Sequence, residues 1–281
     1  MADHHDRARR AAGRRGIMRG AVASMMLAGV PARAADLPPQ PKPTLPVEAA
    51  SDWHFQATIY GWLTAIDGDV GIRSLPAVPI HASVVEVLEN LDGAVMGSFL
   101  ASNGRWLVLT DLVLAKLSHS ARIGPTGRTS LDADLSQAIA TAAVGAWLPL
   151  GIPDVDLAIT GGLRYMRLSA DMSLTPAGLP FAVSRSQSRS WVDPTVGLAA
   201  RWTINARWFV NAVADIGGFG VGSKLSSNGY AGLGYMWTPS ISTAIGYRYL
   251  YEDYEEAGAK GGAFRYNATM HGPTFSLAWH F

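Results

Sequence analysis

The chain has 281 residues, of which 48% are hydrophobic and 16% charged, with 30 Gly, 9 Trp, no Cys and a formal net charge of +1. Ordinary apolar content with charge well below the roughly 25% of soluble domains excludes a disordered chain and a nucleic-acid binder driven by electrostatics. Without cysteine there is no disulfide framework, thiolate nucleophile or Cys-ligated zinc or iron–sulfur cluster, although an oxidising compartment remains allowed.

Charge is unevenly spread. Residues 1–34 hold Arg7, Arg9, Arg10, Arg14, Arg15, Arg19 and Arg33 against Asp3 and Asp6, ahead of an apolar run from Ala21 to Val30. That run is too short to span a bilayer. It ends in Pro31-Ala32-Arg33-Ala34-Ala35, so the basic region, apolar region and small-residue cleavage site stand in secretory order. We read residues 1–34 as a signal peptide, with Met18 as an alternative start. Without it, 16 basic and 20 acidic residues leave a charge of −4. Residues 35–51 are rich in proline (Leu37 to Pro46), cannot supply enough backbone donors for a sheet, and predict an extended periplasmic tail before a domain over 52–281.

From Trp53 the apolar period is two. Trp53, Phe55, Ala57 and Ile59 alternate with His54, Gln56, Thr58 and Tyr60; Val192, Val196, Leu198 and Trp202 alternate with Asp193, Thr195, Gly197 and Arg201; Phe275, Leu277, Trp279 and Phe281 close the chain in the same way. Such alternation places the two sets on opposite faces of a strand. Two uncharged stretches, 135–153 and 225–247, contain prolines, glycines and polar residues that argue against membrane helices. The predicted strands are 53–63, 93–102, 105–118, 130–148, 154–171, 188–203, 207–217, 227–237, 240–254 and 265–281. Tight connections at Asn103-Gly104, Pro149 to Pro153, Asn205-Ala206 and Thr238-Pro239-Ser240 alternate with longer ones over 64–92, 119–129, 172–187, 218–226 and 255–264. This predicts an all-β fold: a transmembrane antiparallel up-and-down β-barrel of about ten strands, with eight or twelve as alternatives and the tight turns on the periplasmic side.

Tryptophan favours the bilayer interface. Trp53, Trp106, Trp147, Trp202, Trp208, Trp237 and Trp279 all fall near a predicted periplasmic turn or chain end, in the sets assigned outward, and predict a girdle. Trp62, Trp191, Tyr247, Tyr249 and Tyr251 are candidates for a second belt. In the first long connection, Ser83-Val84-Val85-Glu86 is a capping-box pattern that predicts a short helix, either on the surface or plugging the mouth. Asp67-Gly68-Asp69 is read as a turn rather than a calcium loop, whose remaining ligands are missing.

The terminal Phe281, with Phe275, Leu277 and Trp279, resembles the C-terminal strand by which bacterial outer-membrane proteins are recognised for assembly. Together with Trp191-Val192-Asp193-Pro194, Asp215-Ile216-Gly217-Gly218-Phe219-Gly220, Gly246-Tyr247-Arg248-Tyr249-Leu250 and Gly272-Pro273, it makes the chain similar to a group of proteobacterial outer-membrane β-barrel proteins of the porin-like, OmpA-type small-barrel kind. The resemblance implies a Gram-negative outer-membrane location, outer-membrane lipid and the barrel-assembly machinery as partners, and no established catalytic residues.

Chemistry must then come from the lumen. The inward candidates are Asp111, Asp132, Asp134, Asp156, Arg164, Asp193, Arg201, Asn211, Asp215, Arg248 and Glu252. Unpaired charge in a narrow barrel is costly, so the arginines are expected to bridge carboxylates in a structural network. The alternative is a narrow aqueous path whose acidic excess prefers cations. His81, Ser83 and Glu86 bring together residue types of a hydrolase, as in outer-membrane lipid A deacylases and esterases, but triads are recognised by geometry and no enzyme is expected. Loop-mediated adhesion or ligand capture is a third alternative. No cofactor, metal or nucleic-acid site is expected, because the metal spacings, phosphate loops and basic patches that would mark one are missing.

Overall fold

The computed structural model describes residues 53–72, 78–123, 129–175, 183–256 and 264–281. The segments read as a signal peptide and a Pro-rich tail, and the alternative start at Met18, lie outside the described residues. Twelve strands and one helix follow in chain order: β1 His54–Trp62, β2 Ala65–Ile72, β3 Val78–Ala82, α1 Val84–Glu89, β4 Leu91–Ser102, β5 Trp106–Ile123, β6 Thr129–Trp147, β7 Val155–Thr175, β8 Val183–Thr203, β9 Trp208–Gly218, β10 Leu225–Thr238, β11 Ile241–Glu256 and β12 Phe264–His280.

Ten of these close a barrel. β4 to β12 pair in sequence order, and β1 joins β4 through His54↔Ser102 to Ile59↔Gly97 and β12 through Gln56↔His280 to Trp62↔Thr274. All the pairings are antiparallel, as the up-and-down reading requires. The strands missed in the sequence are β2 and β3, which fill part of the 64–92 connection. β12 is longer than β1, so its first half, Phe264 to His271, pairs instead with β2, and β3 pairs with the far side of β2. The partner switch falls at Gly272, where a Cβ would stand 1.9 Å from the Leu63 carbonyl oxygen. Only glycine lets the two backbones approach so closely. The Asp67-Gly68-Asp69 segment therefore lies within β2 and is not a turn.

The tight rim is built from side-chain turns. Asn103 Oδ1 accepts from the backbone N–H groups of Arg105 at 2.9 Å and Trp106 at 2.6 Å, and Asn205 Oδ1 accepts from those of Arg207 at 2.9 Å and Trp208 at 3.0 Å. The same four-residue pattern, Asn-x-Arg-Trp, thus ends one strand, reverses the chain and delivers a tryptophan to the start of the next. At the opposite rim the asymmetry takes another form than long loops. β7 and β8 each run for 21 residues, about twice the 9–11 needed to cross a bilayer, so much of the predicted loop length is strand overhang.

The outer surface is apolar where lipid would lie. Ile59, Val95, Val144, Ile159, Leu163, Val196 and Ile245 are all exposed, several by more than half of their area. Above this belt the same outward face turns polar: on β7, Leu163 and Tyr165 give way to Arg167, Ser169 and Asp171, and on β5, Leu112 and Leu114 give way to Lys116, Ser118 and Ser120. An apolar band between polar margins on a closed barrel is a membrane-spanning surface. Among the described residues no helix is long and apolar enough to cross a membrane.

Six of the seven girdle candidates point outward near the rim of tight turns. Trp53, Trp106, Trp202, Trp208, Trp237 and Trp279 are exposed outward, and Trp208, Tyr235 and Trp237 meet edge to face at 4.9 and 4.8 Å. Trp147 corrects the prediction: it shares the phase of buried Ile139 and Thr141, lines the interior and packs against Leu107, Ala158 and Ala199. The phase was misread because Ala143 and Gly145, on its inward face, are as small and uncharged as their outward neighbours. Trp62 and Trp191 are likewise interior, both 5% exposed, whereas Tyr247 and Tyr249 face outward.

Helix α1 forms where the capping box predicts. The Ser83 hydroxyl lies 3.3 Å from the Glu86 N–H, and Glu86 Oε2 accepts from the Ser83 backbone at 2.8 Å. Only Val87 of the helix is buried, so α1 does not plug the barrel.

Candidate functional site

The interior has three layers. Towards the overhanging rim, Trp62, Val113, Ile139, Met166, Trp191, Leu250, Tyr254, Phe264, Tyr266 and Met270 form one buried apolar cluster, in which Trp191 and Tyr254 stack with centroids 4.1 Å apart and planes 11° from parallel. This is a packed core inside a barrel, supplied by the inward faces of the strands themselves.

Beneath it lies a polar network that crosses from wall to wall. Arg164, on β7 and wholly buried, donates from Nη2 to Asp215 Oδ1 on β9 at 2.6 Å and from Nη1 to Ser226 Oγ on β10 at 2.7 Å. Ser226 in turn donates to Glu252 Oε1 on β11 at 2.7 Å, which also lies 3.9 Å from Arg164 Nη1. Asn228 links the two halves, donating to Asp215 Oδ2 at 2.9 Å and accepting from Arg248 Nε at 3.2 Å. Arg248 completes the chain with Nη2 to Asp111 Oδ1 at 2.8 Å and Nη1 to the Tyr60 hydroxyl at 2.7 Å, while Tyr60 donates to Asp111 Oδ2 at 2.7 Å. Asp193 is held from above: the loop between β9 and β10 dips inward and Ser223 donates to it through its N–H at 2.6 Å and its hydroxyl at 2.9 Å.

The third layer is a cavity of about 960 Å³ that runs from the network to the rim of tight turns. Its wall mixes polar residues such as Gln56, Thr58, Ser98, Asn211 and His280 with apolar ones such as Leu100, Trp147 and Val213.

The predicted lumenal set is largely assembled. Asp111, Arg164, Asp193, Asp215, Arg248 and Glu252 form the network, and Asp156, Arg201 and Asn211 line the cavity below it. Asp132 and Asp134 are corrections. They accept from Ser120 at 2.6 Å and Ser118 at 2.5 Å, and Lys116 lies 3.9 Å from Asp134, all on the outward face that carries Leu112 and Leu114. Strand β6 outruns the membrane, so a carboxylate on its outer face meets water and needs no lumen. The neutral members Tyr60, Ser223, Ser226 and Asn228, with Thr141 accepting from Arg164 Nε at 3.4 Å, are not among the sequence candidates. Strand phase carried a signal for Ser226 and Asn228, which alternate with Leu225 and Ala231; Ser223 lies in a loop and carried none.

His81 and Ser83 are not brought together. His81 Nδ1 lies 3.0 Å from Asp67 Oδ1, and the Ser83 hydroxyl donates to Glu86 at 2.8 Å. Among the described residues, no group of three or more His, Asp or Glu is arranged to hold a metal ion. Phe281 closes the β1 edge, its N–H and carbonyl both bonded to Phe55 at 2.9 and 2.8 Å.

No family model matches the chain, and no curated protein does. Solved structures with a similar course of the chain are barrels of modest likeness. The attachment invasion locus protein Ail of Yersinia pestis is 11% identical with a TM-score of 0.35, the alignment covering 82% of this chain and 99% of that one. The translocator domain of the autotransporter NalP from Neisseria meningitidis is 14% identical with a TM-score of 0.37, covering 81% and 88%. Neisserial surface protein A is 12% identical with a TM-score of 0.30, covering 82% and 97%.

Proposed function

We propose that this chain is an integral outer-membrane β-barrel closed to ions in its resting form, a structural membrane protein and not an open pore. The observation that carries the reading is the stacking of an apolar layer, from Trp62 to Met270, on a wall-to-wall hydrogen-bonded network of Arg164, Asp215, Asn228 and Arg248. An ion would have to cross both, losing its hydration in the first and breaking charge-assisted bonds in the second. Outer-membrane placement is supported by the tight-turn rim, its aromatic girdle and the even number of barrel strands. Planar-bilayer recording on the purified barrel tests the proposal: a silent membrane is expected, and sustained cation-preferring steps would replace this reading with the narrow pore. Heat-modifiable gel migration and recovery in the outer-membrane fraction check the location.

A second reading, recognition at the cell surface, is favoured by the overhang of β7 and β8, whose outer face carries Arg167, Ser169, Asp171, Ser186, Ser188 and Ser190. Trimming both strands above Arg167 and Ser190 should abolish binding to host-cell or matrix preparations if that face is adhesive. Catalysis is not proposed, since Ser83 caps α1 and His81 is turned to Asp67. Ester or lipid A hydrolysis that Ser83→Ala removes would overturn this.

A further inference from the structure

Among the described residues three arginines line the cavity, Arg164, Arg201 and Arg248, and they are not equivalent. Arg164 and Arg248 each donate to a carboxylate, at 2.6 and 2.8 Å. Arg201, on β8 near the tight-turn rim, has no carboxylate oxygen within 4.0 Å among the described residues, although Asp156 is its register partner on β7. Its guanidinium instead lies over the Phe209 ring, 4.1 Å from the centroid. Stacking uses the face of the guanidinium and leaves its in-plane N–H donors unspent. Arg201 lines the 960 Å³ cavity near the end bordered by the tight turns.

The surroundings suit an amphipathic anion. Asn211 is the register partner of Arg201 on β9 and offers an amide. His280 faces the same cavity, with Nε2 fixed 2.8 Å from the Ser242 hydroxyl. Trp147 and Val213 bring apolar surface to the same cavity, whereas Leu107 and Phe209 are themselves buried. A cation, an amide and an imidazole set among apolar lining residues make the usual pattern of a small-ligand pocket: mostly hydrophobic, with a few polar groups.

We propose that Arg201, supported by Asn211 and His280, binds the carboxylate or phosphate of a small molecule whose aromatic or other apolar group packs against Trp147 and Val213, entering from the periplasmic side. A planar guanidinium takes either anion through paired N–H donors. The paired charges of the network roof, Arg164 with Asp215 and Arg248 with Asp111, offer no comparable free donor.

Calorimetric titration of the full barrel in nonionic detergent tests this with benzoate, phenyl phosphate, benzylamine and inorganic phosphate. Saturable binding of benzoate or phenyl phosphate is expected, with inorganic phosphate at least ten-fold weaker and benzylamine silent. Arg201→Gln should weaken the anion at least ten-fold, Asp156→Asn should preserve or tighten it, and Arg105→Gln on the outer rim should leave it unchanged. Phenylglyoxal modification of the unmutated protein, read by mass spectrometry, gives a variant-free check, since phenyl phosphate should protect Arg201. Equal affinity for benzylamine, full affinity in Arg201→Gln, no binding of either aromatic anion, or no protection of Arg201 would each overturn the proposal. None of these outcomes depends on whether the barrel conducts.

Discussion

Arg164 and Asp215 meet at 2.6 Å across two strand positions of the barrel wall, with the arginine side chain wholly withdrawn from solvent. Such a pair contributes little against an apolar replacement of both partners, because desolvation offsets most of the attraction. Removing one partner is different, since the other is left charged and buried. Arg164→Met strands Asp215 and removes a donor from Ser226. It should cost about 3–5 kcal/mol, read as a lower urea midpoint for loss of the heat-modifiable band. Asp215→Asn keeps an acceptor for Arg164, and Glu252 still lies 3.9 Å from the guanidinium, so it should cost less than Arg164→Met.

The apolar layer above makes a second, independent prediction. Trp191 is buried against Tyr254 and Tyr266, at 4.1 and 6.2 Å between centroids. Trp191→Ala leaves a void in a close-packed lumen and should cost about 3–5 kcal/mol, whereas Tyr247→Ala, which removes an outward ring, should cost far less in detergent. Equal losses for the two would mean that the lumenal layer is loosely packed.

Most of the barrel was legible in the sequence because a strand that separates lipid from a polar lumen must alternate. Phase alone located ten strands and the network residues Arg164, Asp193, Asp215 and Arg248. It failed where alternation stops being compulsory. Above the bilayer both faces of β6 meet water, so Asp132 and Asp134 gave no sign of pointing outward. Near the lower rim, runs such as Ala142, Ala143 and Val144 offer no polar face to fix the phase, and Trp147 was placed on the wrong side. The hairpin of β2 and β3 was invisible for a third reason: its pairing with β12 exists only because β12 outlasts β1, a fact of register between segments about 200 residues apart.

The divided placement of tryptophan can be measured. In single-tryptophan variants reconstituted with acyl-brominated lipid, Trp202, Trp237 and Trp279 should be strongly quenched, as their exposure to the bilayer requires. Trp147 and Trp191 should resist brominated lipid. Trp147 alone of that pair should be open to aqueous acrylamide, because it lines the cavity that reaches the rim of tight turns. Lipid quenching of Trp147 would return it to the girdle.

The repeated Asn-x-Arg-Trp turn should matter for stability out of proportion to its size. Each asparagine satisfies two backbone N–H groups that a bilayer-edge turn would otherwise leave to water. Asn103→Ala and Asn205→Ala should each cost about 1–2 kcal/mol, and the double variant about their sum, because the turns lie in different hairpins. Sub-additive losses would mean that the two turns share a partner.

Helix α1 offers a test by pH. The Ser83 backbone N–H, followed by its hydroxyl, holds the Glu86 carboxyl below the ordinary glutamate range. A depressed folded value means that the cap's contribution is complete above the ordinary glutamate pKa of about 4.3 and is lost as pH falls through the lower folded value. The Ser83 amide proton in an NMR titration should therefore report a midpoint lower than that of an unrestrained glutamate. Ser83→Ala removes the hydroxyl but keeps the backbone donor, so it should move the midpoint only part of the way back. It should also weaken amide protection across residues 84–89 about five-fold, the equivalent of the ~1 kcal/mol an N-cap supplies. An unshifted midpoint in both forms would show that Glu86 does not close the box in solution.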